Sequence, residues 1–420
     1  MDGEIKAKIH EYLIQKTDFL SVKDKLSEDQ LRVYVDRTIT EICREHSVVI
    51  STEDRIKLIR DLVSGVVSLG PIRPLMEDPA VSEIMINGAH TVYVQRSGRI
   101  ELADVKFNDN NHLSHTIQKI LAASGSNKRV DESSPYVDFS LESGARVNVV
   151  LPPCSLAGPV VTIRKFSTDI SKIEDLLARA MLDEKMSVLL IAAMKAKLNV
   201  VFCGSTGTGK TTALNVLSRY IPEYERILTI EDTPELRLMQ KHVVPLQSKP
   251  ANIEGKGVIT IRELFVNSLR MRPDRVIIGE VRGDEMLDLI QAISSGHSGS
   301  LAIVHADSPE DCFSRMVTMM LMTGIRLSTE EIKRQIANAI DLIVHIELHQ
   351  DGMRRITNIT DMFYDNERER VVLNDIFSFQ EDERKENGAI IGHWAMNNKK
   401  PSFYKKFLKR NVKLPQGFFV

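Results

Sequence analysis

The 420-residue sequence predicts an α/β architecture: a parallel sheet covered by helices, preceded by a smaller α+β domain and a helical N-terminal segment. Three observations carry this prediction. From residue 172 onward, short β-rich apolar runs alternate with longer runs at helical spacing, the pattern of a helix-covered parallel sheet. Residues 67–166 instead hold short alternating runs joined by glycine-containing turns. Met1 to Val66 is charged and free of proline, and Leu58, Ile59, Leu62, Val63 and Val66 share one helical face.

The elements follow in order. Leu69-Gly70-Pro71 ends the helical segment 1–66. Thr91 to Val94, the turn Ser97-Gly98 and Ile100 to Leu102 read as one hairpin, and Val137 to Leu141 with Val147 to Val150 as another. Asn111 to Ala123 reads as a helix between them, and Val160 to Ile163 as a last strand. A polar linker, 167–171, leads to the main domain, 172–350, with strands at Leu198 to Phe202, Ile227 to Ile230, Val276 to Ile278, Leu301 to Val304 and Leu342 to Ile346. Helices are expected at Lys210 to Tyr220, Ile261 to Leu269, Met286 to Ser294, Pro309 to Met322 and Glu330 to Ile340, the last opened by Ser328 and Glu331 as a capping box. Beyond Asp351-Gly352 a hairpin and a basic tail complete 351–420.

Composition narrows the function. Lys and Arg number 55 against 57 Asp and Glu, for a net charge of -2, which lacks the basic excess of a protein that tracks a nucleic-acid backbone. The most apolar stretch, Ser187 to Gly204, is broken by Lys195 and Lys197, so no span of a bilayer is expected. The acidic start, MDGEIKAKIH, is no secretory signal, and a cytoplasmic protein is expected. Cys43, Cys154, Cys203 and Cys312 form no C-x-x-C pair and read as small buried apolar residues. The charge is uneven: the tail from Gly388 has no acid and carries +7, leaving -9 on residues 1–387. Lys405, Lys406, Lys409 and Arg410 are candidates to face anionic lipid or an acidic partner loop, against the plainer reading of a helix docked through Phe403, Tyr404 and Phe407.

The chemistry centres on Gly204-Ser205-Thr206-Gly207-Thr208-Gly209-Lys210-Thr211, with Thr212 following. It fits G-x-x-x-x-G-K-[ST] and lies between an apolar strand and a helix, so the loop N–H groups and the helix N-terminus can cradle phosphates. Lys210 would contact the β- and γ-phosphates of ATP and Thr211 would hold Mg²⁺. Hydrolysis also needs an acid at a neighbouring strand end; Glu280, after Val276-Ile-Ile-Gly279, is placed to polarise the attacking water. Glu231-Asp232 ends another strand, with Glu231 a candidate for the metal and water shell. His297 and His305 flank a strand, and an imidazole there could sense the γ-phosphate.

These residues resemble the secretion ATPases of type II and type IV systems. Four boxes carry the likeness: the P-loop, the Asp box Ile227-Leu-Thr-Ile-Glu-Asp-Thr-Pro-Glu-Leu236, the Walker B segment Arg272 to Glu285, and the His box Gly296 to Ala306. The sequence departs from the usual pattern at Ile303 and Asp307. Upstream, Gly70-Pro71, Val81 to Gly88, Val130 to Pro135, Gly144-Ala-Arg146-Val-Asn148 and Thr162-Ile-Arg164 look like the branch that assembles Tad (Flp) pili. The resemblance implies a RecA-like, Mg²⁺-dependent ATPase that forms a homo-hexamer. It would act at the cytoplasmic face of the inner membrane with platform proteins and, indirectly, pilin. It implies further that the α+β domain closes on the nucleotide, that Arg146 and Arg164 contact phosphates, that His305 belongs to the site, and that Arg282 couples site to interface. Transport of protein or DNA, pilus retraction, and a non-hydrolysing nucleotide-binding scaffold are the alternatives.

Overall fold

A computed structural model describes residues 28–45, positions 52, 55, 56 and 59, and 69–419 apart from 97–98, 126–127, 142, 166–169, 250, 252–255 and 387. The expected turn at Ser97-Gly98, most of the linker, and the helical positions Leu58, Leu62, Val63 and Val66 lie outside the described residues. The chain divides into two compact units, Met1–Ser167 and Thr168–Val420.

The first unit contains the helix Glu28–Glu45 and a six-stranded antiparallel sheet. Its strands are β1 (Val81–Asn87), β2 (Val92–Arg96), β3 (Arg99–Leu102), β4 (Tyr136–Ser140), β5 (Arg146–Val150) and β6 (Val160–Arg164), in the spatial order β3-β2-β1-β6-β5-β4. Alternation decides the buried face: Val147 and Val149 point inward while Asn148 between them is exposed. The helix Asn110–Ala123 starts at Asp109, whose carboxylate accepts the His112 N–H at 2.7 Å. Leu113, Ile117, Ile120 and Leu121 form its buried stripe and join Ile84, Val94, Val147 and Ile163 in one core.

The second unit is built on a nine-stranded sheet: β7 (Val200–Cys203), β8 (Ile227–Glu231), β9 (Val243–Gln247), β10 (Arg275–Ile278), β11 (Leu301–Val304), β12 (Leu342–Leu348), β13 (Arg354–Asp365), β14 (Arg370–Arg384) and β15 (Ile390–Met396). The order is β15-β14-β13-β12-β7-β11-β10-β8-β9; β7 to β12 run parallel, and β13 to β15 extend the sheet antiparallel. The residues after Asp351-Gly352 thus continue the same sheet.

Period two divides the core. Val200, Phe202, Ile303 and Val344 face one side with helices Glu184–Lys195 and Lys210–Ser218, whereas Val201, Cys203, Ile278 and Val304 face the other with helices Glu285–Ser294, Pro309–Met322 and Thr329–Ala339. Both faces are covered, so β7, β10 and β11 are buried along their whole length. Helix Glu184–Lys195 was not visible in the sequence pattern because its all-round apolar surface runs almost directly into β7, separated by the left-handed turn at Lys197. β9 was hidden by Pro245, which a sheet-edge position tolerates. Cys203 and Cys312 are buried as expected, but Cys154 is exposed.

The tail follows the plainer, docked reading, with one difference at Lys406. In the short helix Tyr404–Lys409, Phe407 is buried, and with Phe403 and Phe419 it enters the core. Lys406 stays partly exposed but is engaged: its ammonium lies 2.7 Å from Asp341 Oδ1 and 2.8 Å from Oδ2. Asp341 Oδ2 also accepts the Asn199 N–H at the root of β7. Burial makes that carboxylate need a partner, and Lys406 is the cation within reach. Lys406→Ala should therefore cost roughly 1–3 kcal/mol of stability, the penalty for stranding a buried polar group. Exposed Lys405, replaced by alanine, should change stability by less than about 0.5 kcal/mol, and urea melts of both variants compare them.

Candidate functional site

Parallel strands deliver their C-terminal ends to one edge of a sheet, where ligands of doubly wound folds bind. Here β7 leads into Gly204, β8 ends at Glu231, β10 leads into Gly279-Glu280 and β11 into His305. His297 is not part of that edge. It precedes β11, at the strand's other end, and its Nδ1 lies 3.2 Å from the Ala292 carbonyl, against the end of helix Glu285–Ser294.

Glycines set the course of the loop 204–209. Gly204 has φ +149°, and a Cβ there would lie 2.1 Å from the Ile346 carbonyl oxygen, so only glycine lets β7 turn beside β12. Gly207 (φ +80°) and Gly209 (φ +95°) carry the chain into the helix Lys210–Ser218. Lys210 is buried, and its ammonium donates to the carbonyls of Gly204 at 2.9 Å and Ser205 at 2.6 Å. The Thr208 hydroxyl donates to the Ser205 carbonyl at 3.0 Å, and the Ser205 hydroxyl donates to Asp307 Oδ1 at 2.6 Å. Thr206 lies between these residues in sequence and Thr212 follows them. Asp307, a departure from the family pattern, is thereby a partner of the loop.

The carboxylates divide into two environments. Glu231 is buried; its Oε1 accepts the N–H groups of Glu235 at 2.8 Å and Leu236 at 2.9 Å. Burial raises its pKa to about 7, against the lowering effect of those two N–H groups. The turn that Glu231 holds presents Glu235, whose Oε2 accepts the Thr211 hydroxyl at 3.3 Å. Thr211 thus pairs with Glu235, while Glu231 faces backbone.

Gly279 makes room for Glu231: a Cβ at 279 would come within 2.7 Å of Glu231 Cγ. Gly279→Ala should destabilise the protein by about 1–3 kcal/mol, as overpacking does, which a thermal melt measures.

The raised Glu231 pKa has a definite sign. The folded state holds this proton to a higher pH than the unfolded state, so the contribution is complete below the ordinary value of 4.5 and is lost as pH rises through about 7. Glu231→Gln should therefore raise the melting temperature at pH 8 and change it little at pH 4. An equal shift at both pH values would remove Glu231 as the cause.

Glu280 is half-buried, which pushes its pKa up, but the hydrogen bond and charge of Arg282, with His305 and Lys210, bring it below the ordinary carboxylate value. Arg282 Nη2 donates to Glu280 Oε2 at 2.7 Å and its Nε lies 2.6 Å from Oε1. His305 Nε2 lies 3.3 Å from Glu280 Oε1. Burial and then the Lys210 charge lower the imidazole pKa, outweighing Glu280, so the ring is neutral at pH 7.

Glycine-loop N–H groups, a buried lysine and a helix N-terminus suit a phosphate chain. Thr211 and Glu235 are paired hard oxygen donors of the kind Mg²⁺ takes; among the described residues no group of three acidic or histidine side chains is gathered to hold a metal by itself. Arg146 and Arg164 lie in the first unit, opposite each other on β5 and β6, and Arg146 Nη2 pairs with Asp138 Oδ2 at 2.7 Å. Sequence reading missed Glu235 as a site residue, although it stands in the Asp box four positions after Glu231. It also missed Arg354, which reaches the loop from β13 without any local motif.

The type II/IV secretion system protein family matches residues 66–373. A putative conjugal transfer protein of Mycobacterium tuberculosis is 30% identical over 307 residues, covering 72% of this chain and 86% of that protein. The type IV secretion system protein VirB11 of Brucella suis is 32% identical over 334 residues, covering 72% and 91%. The crystal structure of the VirB11 ATPase from the Brucella suis type IV secretion system, in complex with sulphate, aligns at 29% identity and a TM-score of 0.37, over 72% of this chain and 95% of that one.

Proposed function

Because the chain belongs to the type II/IV secretion system protein family, we propose that it is a RecA-like ATPase that powers pilus assembly or secretion as a hexamer. The observation that carries this reading is the meeting of Lys210, Glu280 and His305 at the strand ends beside the glycine loop. In it, residues 204–212 bind the phosphates, Lys210 neutralises their charge, and ionised Glu280 orients the attacking water and accepts its proton. Neutral His305 steadies Glu280. Glu231 shapes the turn that brings Glu235 to Thr211, and these two, with Glu231 as the further ligand candidate, would hold Mg²⁺. The metal, when bound, supplies Lewis-acid stabilisation of phosphate charge.

The upstream motifs around Asn87, Arg146 and Arg164 favour Tad-type pilus assembly at the cytoplasmic face of the inner membrane, with platform proteins as partners and pilin as indirect cargo. The relatives' names favour a second reading, type IV secretion-like transport of protein or DNA. Phosphate release from the purified full chain, with and without single- and double-stranded DNA, tests both readings together with mass photometry in ATP. Turnover by a six-subunit particle, indifferent to DNA, is expected. DNA-stimulated turnover would move the assignment to DNA transport, and turnover at background would leave a nucleotide-binding scaffold.

A further inference from the structure

Arg354 opens β13, on the returning arm of the hairpin that β12 begins. Its Nε donates to the Gly207 carbonyl at 2.9 Å. Its Cδ is the first atom that a Cβ on Gly209 would meet, at 3.3 Å. The side chain therefore lies along the second half of the glycine loop, although it is separated from that loop by nearly the whole main domain in sequence. Its backbone is tied into the sheet: β12 pairs with β7 next to the loop, Leu348 opposes Arg354, and the Ile356 N–H is bonded to the Met181 carbonyl at 2.8 Å. Arg355, next in sequence, forms a buried ion pair with Asp351 at 2.7 Å.

A loop that turns its N–H groups toward a phosphate must turn carbonyls the other way. The Gly207 carbonyl shares its peptide plane with the Thr208 N–H. A cationic donor on that carbonyl fixes the plane and polarises the N–H at its other end. We infer that Arg354 is a positioning residue for phosphate binding, holding the Gly207–Thr208 peptide in the anion-receiving orientation from outside the loop. The inference rests on the reading of residues 204–212 as the ATP phosphate site, and it assigns the C-terminal hairpin a part in that site. A purely structural tie between hairpin and loop would instead affect stability and leave affinity unchanged.

The test is equilibrium binding of a fluorescent ATP analogue to the full chain, with ADP and pyrophosphate as competitors. Arg354→Ala should weaken all three about ten- to a hundredfold, the equivalent of one charge-assisted hydrogen bond. In turnover assays KM should rise while kcat changes less than about threefold, because the interaction serves bound substrate and transition state alike. Arg354→Lys, which keeps the charge and a donor, should recover part of the affinity. Arg354→Gln, which keeps part of the stem, serves the same comparison if the alanine variant does not fold. Unchanged affinities in Arg354→Ala or Arg354→Gln, alongside loss of binding in Lys210→Ala, would overturn the inference while leaving the phosphate site in place. Weakened ATP binding with unchanged pyrophosphate binding would also overturn it, by moving Arg354 to the nucleoside. If Lys210→Ala bound all three ligands like the wild type, the phosphate-site reading would fail first and this inference with it.

Discussion

Lys210→Ala should lower ATP turnover at least about a hundredfold, the order measured when one preorganised charge or donor is removed from a transition state. The ammonium is buried and held by the Gly204 and Ser205 carbonyls, so it lies inside the loop that the phosphates would enter rather than in solvent. Its loss acts twice. It removes a cation where charge develops, and it removes the field that helps hold His305 neutral and Glu280 ionised. The pKa of His305 should accordingly rise in the variant, which NMR titration of the imidazole reads independently of turnover. Phosphate release within tenfold of wild type would remove Lys210 from the phosphate site.

The second large effect is expected at Glu280. Glu280→Gln keeps the shape of the side chain and a donor or acceptor for Arg282 and His305, but it cannot take a proton from water. Turnover should fall at least about a hundredfold, within the range for loss of a general base, while affinity for ATP is retained. The pH profile sharpens this prediction. Because Arg282, His305 and Lys210 keep the carboxylate below its ordinary pKa despite burial, the acid limb of activity should lie below pH 4.5 if Glu280 alone sets it. Normal turnover in Glu280→Gln would exclude the residue from the chemistry. Loss of ATP binding together with turnover would give it a structural role instead.

Much of this was legible from residues alone. The glycine loop, Glu280 and His305 are local signals: each follows a short apolar strand, and the strand dictates where the next residue emerges. The α/β class was legible because a strand buried on both faces reads as an unbroken apolar run. Where local pattern is weak, the reading failed. Helix Glu184–Lys195 merges with β7 into one apolar stretch, and only the turn at Lys197 separates them. His297 and His305 are equivalent on a linear chain, yet the polarity of β11 places them at opposite ends.

Glu231 illustrates the boundary most sharply. As a strand-end acid it is an obvious metal or water ligand, but burial and two backbone N–H groups make it first the anchor of a turn, and Glu235 becomes the partner of Thr211. Lys406 similarly reads as surface charge in a basic tail, until the fold brings a buried Asp341 within 2.7 Å of it.

By itself, then, the sequence determined the class of chemistry and the segments that perform it, because glycine placement, strand-terminal acids and the lysine after the loop are properties of contiguous residues. The tertiary structure decided which of those residues touch. Pairing across the sheet joins β7 to β12 and β12 to β13, and so carries Arg354 to the Gly207 carbonyl from 147 positions away. No linear pattern encodes that contact, since its only cause is the order in which the strands pack.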